Sequence, residues 1–309
     1  MLPHTTEQVH PDAHKLSDAT LKDAARALAK GQREAAEAPQ QAISAICSGA
    51  SAMARSLTSD GSLYYVAAGS SGLMAAADAM ELGGTFSIDE SRIHILMAGG
   101  LPQSAHMPGD TEDDIHGLSE QLAQLSPQDT VIAVSASGTT PFTLEAARLT
   151  RAAGAALIGI ANNPGSPLLE QADHAIALAT PAELISGSTR MGAGTAQKIA
   201  LNMLSSLMAV ELGHVHDGMM VNLRADNSKL RARAVGIVSR ITGASATDAQ
   251  IALDQTGGAV KPAVLICAGA TSVGHALTLL QDSAGRLRPA LLELPKRQNK
   301  TKQTNLGRK

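Results

Sequence analysis

Three short segments of the sequence combine hydroxyl side chains with glycine, and each precedes a stretch with the pattern of a helix. They are Ser70-Ser71-Gly72, the segment from Ser135 to Thr140, and Ser186-Gly187-Ser188-Thr189. The start of a helix offers unpaired backbone N–H groups and a partial positive charge, to which hydroxyls add neutral donors. Such segments suit a phosphate group. Each alone could be an ordinary helix N-cap, where serine and threonine are favoured, but three together favour phosphate binding.

No nucleotide-binding fingerprint accompanies these segments. The sequence has no G-x-G-x-x-G after an apolar run, no acidic residue closing the second run to hold a ribose, and no G-K-[ST]. We therefore expect the phosphate to belong to a sugar or a similar small molecule.

The elements that must position these segments are short apolar runs alternating with helical stretches. The runs cover residues 63–68, 93–98, 131–135, 156–160 and 174–178. This alternation predicts an α/β fold, a parallel sheet covered by helices on both faces. In such sheets ligands bind beyond the carboxyl ends of the strands, which is where the hydroxyl-rich segments fall.

The remaining sequence suggests four parts. Residues 1–57 contain two helices, broken at Pro39, that we expect to pack on the sheet domain of residues 58–226. Residues 227–294 have the pattern of a small helical module. Residues 295–309 include six lysines and arginines and few apolar residues, so we expect this basic tail to be disordered.

Composition excludes several classes of partner. Aromatic residues make up 1% of the chain and the formal net charge is -3, so we expect no nucleic acid partner. No apolar run is long enough to span a membrane, and residues 1–15 contain no secretory apolar core. Cys47 and Cys267 are too far apart in sequence to suggest a disulfide framework. We expect a cytoplasmic protein without membrane association.

Several motifs give a more specific indication. They are A-A-G-S-S-G at 67–72, D-A-M-E at 78–81, M-A-G-G at 97–100, E-D at 112–113, V-S-A-S-G-T-T-P at 134–141, N-N-P-G-S at 162–166, G-S-T-R-M-G-A-G-T-A-Q-K at 187–198 and L-N-M-L-S at 201–205. Through them the chain resembles the sugar-isomerase (SIS) domain superfamily and, within it, the N-acetylmuramic acid 6-phosphate etherase family. The long motif at 187–198 is highly specific, whereas S-x-S-G-x-T alone marks only the superfamily.

The resemblance implies a three-layer, flavodoxin-like SIS domain and a pair of catalytic carboxylates. Glu81 would be the general acid and Glu112 the second acid or base. Such an enzyme eliminates the D-lactyl ether from C3 of the sugar phosphate and then adds water, without a cofactor or a metal. From the hydroxyl-rich segments themselves we expect Ser70, Ser71, Ser135, Ser137, Thr139, Thr140 and Ser188 to bind the phosphate and the sugar. For Glu183 two roles stay open, a contact with the sugar and a structural role. SIS sites are often completed across subunits, so the resemblance also implies a homodimer.

The chain departs from the family pattern at three cationic positions. Leu73 and Thr139 stand where the family has arginine, and Gly192 stands where it has lysine. In addition, Gly83-Gly84 falls near the family's Pro-Pro. Because the three neutral positions bring the exact substrate into question, two alternatives stay open, an aldose–ketose phosphosugar isomerase and a non-catalytic phosphosugar sensor resembling glucokinase regulatory protein. The H-x-H pair at His214 and His216 lacks a third ligand at a suitable spacing, so we predict no metal there.

Overall fold

The computed structural model describes residues 5–105, 107, 111–223 and 228–295. The chain divides into two compact units. The first comprises Met1–Gly84 and Ile88–Glu211, and the second comprises Thr85–Ser87 and Leu212–Lys309. Residues 212–223 thus group with the second unit, whereas the predicted boundary at 226 and 227 lies outside the described residues. So do residues 296–309, nearly all of the predicted basic tail.

The first unit is built on five parallel strands, which confirms the predicted α/β class. They are β1 (Leu63–Ala67), β2 (Ile93–Met97), β3 (Thr130–Ser135), β4 (Ala156–Ala161) and β5 (His174–Ala177), arranged in the order β2-β1-β3-β4-β5. All of β1 and β3 is buried. This explains why these strands are continuous apolar runs rather than alternating ones.

Helices cover both faces of this sheet, in the three layers expected of an SIS domain. They are α1 (Leu21–Glu37), α2 (Ile43–Thr58), α3 (Gly69–Phe86), α4 (Leu118–Gln121), α5 (Pro141–Ala153), α6 (Pro167–Gln171) and α7 (Gly192–Glu211). Pro39 lies in the 3-10 turn between α1 and α2, where the sequence predicted the break. Gly49 lets α2 approach its neighbours closely, since a Cβ at this position would lie 3.0 Å from Leu204 Cδ2 and 3.2 Å from Ile158 Cδ1.

The strand register brings two of the hydroxyl-rich segments to one edge of the sheet. Ala67, the last residue of β1, is paired with Val134 of β3. The turn into α3 and the turn into α5 therefore leave adjacent strands, which are about 5 Å apart. Pro141 is the first residue of α5, a position where its fixed φ and missing N–H cost nothing.

A buried polar cluster holds α3 against the sheet and α7. The Asp78 carboxylate accepts hydrogen bonds from Tyr65 Oη (3.1 Å), Asn202 Nδ2 (2.8 Å) and Ser205 Oγ (2.9 Å). Asp78 is 5% exposed. Burial raises its pKa above the ordinary value of 3.8, although the three donors oppose that shift.

We expect the Asp78→Asn substitution to change how stability depends on pH. Because the folded pKa of Asp78 is raised, the carboxyl contributes most to stability below pH 3.8, and that contribution is lost as the pH rises through the folded pKa. The stability of the wild type relative to the variant should therefore fall over that interval, as measured by denaturant unfolding at a series of pH values. Asp23→Asn is the matched control with the opposite sign, since hydrogen bonds from Thr20 and Arg26 lower the pKa of Asp23. Parallel curves for the wild type and Asp78→Asn would contradict the prediction.

The second unit is mainly helical and has its own apolar core. It contains a two-stranded ribbon, β6 (Val215–His216) and β7 (Met219–Met220), and the helices α8 (Ser228–Thr242), α9 (Ala246–Gln255), α10 (Val260–Ala268), α11 (Val273–Asp282) and α12 (Leu287–Leu292). Among the described residues no single helix has the length and hydropathy of a membrane span. Only α10 and α11 taken together, with a bend of 108° between them, reach that composition.

Candidate active site

The segment from Ser135 to Thr140 forms a compact cluster of hydroxyls at the start of α5. Ser135 Oγ lies 2.8 Å from Thr140 Oγ1 and 3.3 Å from Ser137 Oγ. Ser135 Oγ accepts from the N–H of Gly138 (3.0 Å), and Ser137 Oγ accepts from the N–H and the hydroxyl of Thr139 (3.1 and 2.9 Å). The four predicted binding residues of this segment are therefore assembled before any ligand arrives. These four hydroxyls form a neutral cluster at the start of α5, which we call the cradle.

Gly138 is required for this turn. Its φ is +72°, and a Cβ would overlap both Ser166 Oγ and Ser166 Cβ. Any other residue would strain the backbone and displace the start of α6, so the glycine in the S-x-S-G motif has a conformational cause.

Glu112 lies across the edge of the sheet from this cradle, at the first turn of α3. Gly69 has a φ of +53°, and a Cβ there would overlap Glu112 Oε1, so the carboxylate lies directly against the glycine. The backbone carbonyl of Glu112 accepts from the N–H of Phe142 in the first turn of α5 (3.2 Å). One residue therefore contacts the starts of both helices. Within the described part of the chain its carboxylate makes no hydrogen bond or ion pair, which leaves it available to a substrate.

Ser70 and Ser71 belong to the same helix start. Both lie within the first turn of α3, and Ser71 is 7% exposed. Since the Glu112 carboxylate already faces this end of α3, a second anion there would be repelled.

Glu81 does not meet Glu112 within one chain. It lies on the exposed side of α3, twelve positions beyond Gly69, which is about 18 Å along the helix axis. Within one chain Glu112 thus lies beside the hydroxyl-rich segments and Glu81 lies away from them, and the catalytic roles of both residues stay predictions. The sequence could not show this, because only the structure places Glu112 against Gly69, twelve positions before Glu81.

Glu183 has a structural contact that the sequence did not reveal. Its two carboxylate oxygens accept from the backbone N–H groups of Gly192 (3.0 Å) and Ala193 (2.8 Å), and the residue is 6% exposed. A carboxylate at this position stabilises the start of α7 and satisfies two of its unpaired donors. A Cβ at Gly192 would lie 3.2 Å from Glu183 Oε2, so the departure from the family's lysine coincides with close packing.

The third hydroxyl-rich segment is connected to the cradle through the start of the chain. Ser188 lies half-buried in the turn before α7, and the neighbouring Ser186 Oγ donates to the backbone carbonyl of Glu7 (3.3 Å). Next to Glu7, Thr6 Oγ1 accepts from Asn163 Nδ2 (3.1 Å), which also donates to the carbonyl of Ser137 (3.2 Å). Asn163 belongs to the N-N-P-G-S motif at 162–166, but the sequence alone did not indicate this role for it.

The amide of Gln197 explains part of the long family motif. Its Nε2 donates to Asn162 Oδ1 (2.9 Å), and both residues are at most 1% exposed. This bond ties α7 to the end of β4. The G-T-A-Q-K portion of the motif therefore includes a residue that fixes α7 to the sheet.

Comparison with known proteins agrees with this architecture. A family model described as "SIS domain" matches residues 106–209. The chain is 43% identical over 295 residues to the N-acetylmuramic acid 6-phosphate etherase of Deinococcus radiodurans, covering 94% of this chain and 96% of the relative. It is 37% identical over 294 residues to the etherase of Streptomyces avermitilis, covering 94% of each chain, and 37% identical over 290 residues to that of Rubrobacter xylanophilus, covering 93% and 96%. The resemblance carried by the motifs is thus confirmed, and the chain belongs to the N-acetylmuramic acid 6-phosphate etherase family.

Proposed function

We propose that this chain is a carbon–oxygen lyase that cleaves the D-lactyl ether of N-acetylmuramic acid 6-phosphate, giving N-acetylglucosamine 6-phosphate and D-lactate. The observation that carries the proposal is the 43% identity to a named etherase over 94% of the chain. The hydroxyl cradle beside an unpaired carboxylate supports it, because the reaction needs a phosphate anchor and an acid–base group next to it.

The geometry suggests how the substrate lies. The 6-phosphate would occupy the cradle formed by Ser135, Ser137, Thr139 and Thr140, and the sugar would extend toward the start of α3, where Ser70 and Ser71 present hydroxyl and N–H groups. Glu112 would then face the sugar carbons. Once the ring has opened to the aldehyde, the C2 hydrogen is acidic, and a carboxylate can remove it while lactate leaves C3 with a proton from an acid.

A second carboxylate must supply that proton, and a second copy of the chain can provide it. We propose a homodimer in which the exposed Glu81 of one copy reaches the site that contains Glu112 of the other. Symmetric dimers are the commonest oligomers, and their interface uses the same surface twice. The free thiols of Cys47 and Cys267 suit a reducing compartment, and we propose a cytoplasmic location.

The assay that tests the proposed function is incubation of the purified protein with N-acetylmuramic acid 6-phosphate. We expect stoichiometric D-lactate and N-acetylglucosamine 6-phosphate. Aldose–ketose interconversion of hexose phosphates without lactate release would instead identify an isomerase. Binding without turnover of any tested sugar phosphate would identify a sensor, and either of these results would refute the lyase.

We expect Ser137→Ala to weaken substrate binding with little effect on the chemical step. The hydroxyl of Ser137 receives two hydrogen bonds within the cradle, and a hydrogen bond to a charged phosphate contributes about 1.5–3 kcal/mol. KM should therefore rise by about tenfold or more, and the sugar phosphate should raise the Tm of the variant less than that of the wild type. Ser186→Ala is the control, since its hydroxyl bonds backbone carbonyls at the start of the chain. Unchanged KM and unchanged ligand protection in Ser137→Ala would place the phosphate elsewhere.

A further inference from the structure

The second unit contains a cavity of about 570 Å³ that no part of the lyase mechanism uses. One wall is formed by Ser87 and by residues 221–223, and another by the Gly257-Gly258 turn and the first residues of α10. Leu277 and Leu280 of α11 close it with apolar side chains. Its size falls within the range of small-molecule sites.

Lys261 is among the lining residues, and the described residues offer its charge no partner. The residue is 8% exposed, and within the described part of the chain it makes no hydrogen bond or ion pair. Burial lowers its pKa to about 8, which still leaves the amine mostly protonated at neutral pH. Burial and the Lys261 charge together lower the pKa of His214 to about 4. The His214 side chain is therefore neutral at pH 7 and does not compete with Lys261 for an anion. An ammonium group buried without a counterion is costly, and a bound anion would remove that cost.

Neutral donors also line the cavity. Helix α10 begins at Val260, and its N-cap residue Ala259 has no side chain that could bond the first N–H groups. Ser87 Oγ is buried and has no hydrogen-bond partner among the described residues. Asn222 Nδ2 donates one N–H to the carbonyl of Phe86 (3.0 Å), which leaves the other N–H available. No aspartate or glutamate lines the cavity within the described residues.

We propose that this cavity binds a small organic oxyanion, a carboxylate or a phosphate monoester, paired with the Lys261 ammonium. The hydroxyl of Ser87 and the N–H groups at the start of α10 supply the remaining hydrogen bonds. The carbon skeleton of the ligand contacts Leu223, Leu277 and Leu280. Apolar walls with a few convergent polar groups are the usual composition of such a site.

Titration calorimetry of the full chain with inorganic phosphate and with D-lactate tests this site. Measurements are made in the Ser137→Ala background, in which binding at the cradle is weakened. We expect at least one of the two anions to bind, and Lys261→Met to weaken that binding by about tenfold or more, as for a lost charge-assisted hydrogen bond. Tighter binding of phosphate would identify a phosphate monoester as the ligand class, and tighter binding of D-lactate would identify a carboxylate.

A measurement without anion and one further variant separate this site from a structural role of Lys261. Without anion, Lys261→Met should have a Tm equal to or above that of its parent, because an apolar side chain replaces an unpaired buried charge. Ser87 has a φ of +54°, so Ser87→Gly removes the hydroxyl and relieves backbone strain at the same time. This variant should lower the affinity for the anion by about three- to tenfold. Absence of binding by both anions, or binding that neither Lys261→Met nor Ser87→Gly weakens, would overturn the proposal, whatever the lactate-release assay shows.

Discussion

Glu112→Gln is expected to lower the turnover of N-acetylmuramic acid 6-phosphate by at least about a hundredfold, the usual scale of general acid–base catalysis. The carboxylate lies against Gly69, next to the cradle, and makes no bond within the described chain that would explain a structural need for it. Glutamine keeps the shape of the side chain but cannot accept a proton. Steady-state kinetics should therefore show a lower kcat, with KM changed little because the phosphate contacts remain.

Asp113→Asn is the matched control for this variant. Asp113 is the adjacent exposed carboxylate on the same loop, so a general loss of negative charge would affect both variants alike. We expect the control to retain kcat within a few-fold. A Glu112→Gln variant with turnover near that of the wild type would remove this residue from the mechanism.

Glu81→Gln is expected to cause a loss of turnover of similar size, of about a hundredfold or more. Unlike Glu112, however, Glu81 does not lie beside the cradle of its own chain, because it is about 18 Å along α3 from the start of that helix. If Glu81 acts in the site of a second copy, two inactive variants should complement each other. Co-expressed Glu81→Gln and Glu112→Gln chains form mixed dimers with one intact site, so random assortment should restore about a quarter of the wild-type sites.

The same experiment distinguishes the two arrangements. If both carboxylates act within one chain, every site in the mixed dimer lacks one of them, and the mixture stays inactive. Recovery of activity only on mixing would support the shared site. Near-normal turnover of Glu81→Gln alone would exclude the residue from catalysis in either arrangement.

Sequence reasoning predicted the sheet well because its signals are local. The strands β1 and β3 are buried throughout and mainly apolar, and glycine or hydroxyl residues follow each within two positions, so each predicted run differs from the observed strand by at most one residue at either end. The cradle was equally predictable. Its hydroxyls lie within six consecutive residues, and the strand that precedes them determines where they lie.

The contacts that depend on distant segments could not be predicted in this way. For Glu183 both a sugar contact and a structural role were open, and the bonds from the N–H groups at the start of α7 to its carboxylate follow from the path of the chain between β5 and α7. Glu81 and Ser71 lie on the same helix, and the sequence does not show which face of that helix is buried. In the structure Asp78 is on the buried face and Glu81 is exposed. Among the described residues Lys261 has no ion-pair partner, and the sequence gives no signal of this because it depends on which side chains lie nearby in space.

The proposed reaction is tested most directly by isotope labelling. N-acetylmuramic acid 6-phosphate is incubated with the protein in water enriched in deuterium and heavy oxygen, and both products are examined by mass spectrometry and NMR. Elimination followed by hydration removes the C2 hydrogen and adds water at C3, so the sugar product should carry deuterium at C2 and heavy oxygen at C3, with unlabelled lactate oxygen. Heavy oxygen in the lactate together with an unlabelled C3 oxygen would contradict the elimination mechanism, and the absence of lactate would contradict the function itself.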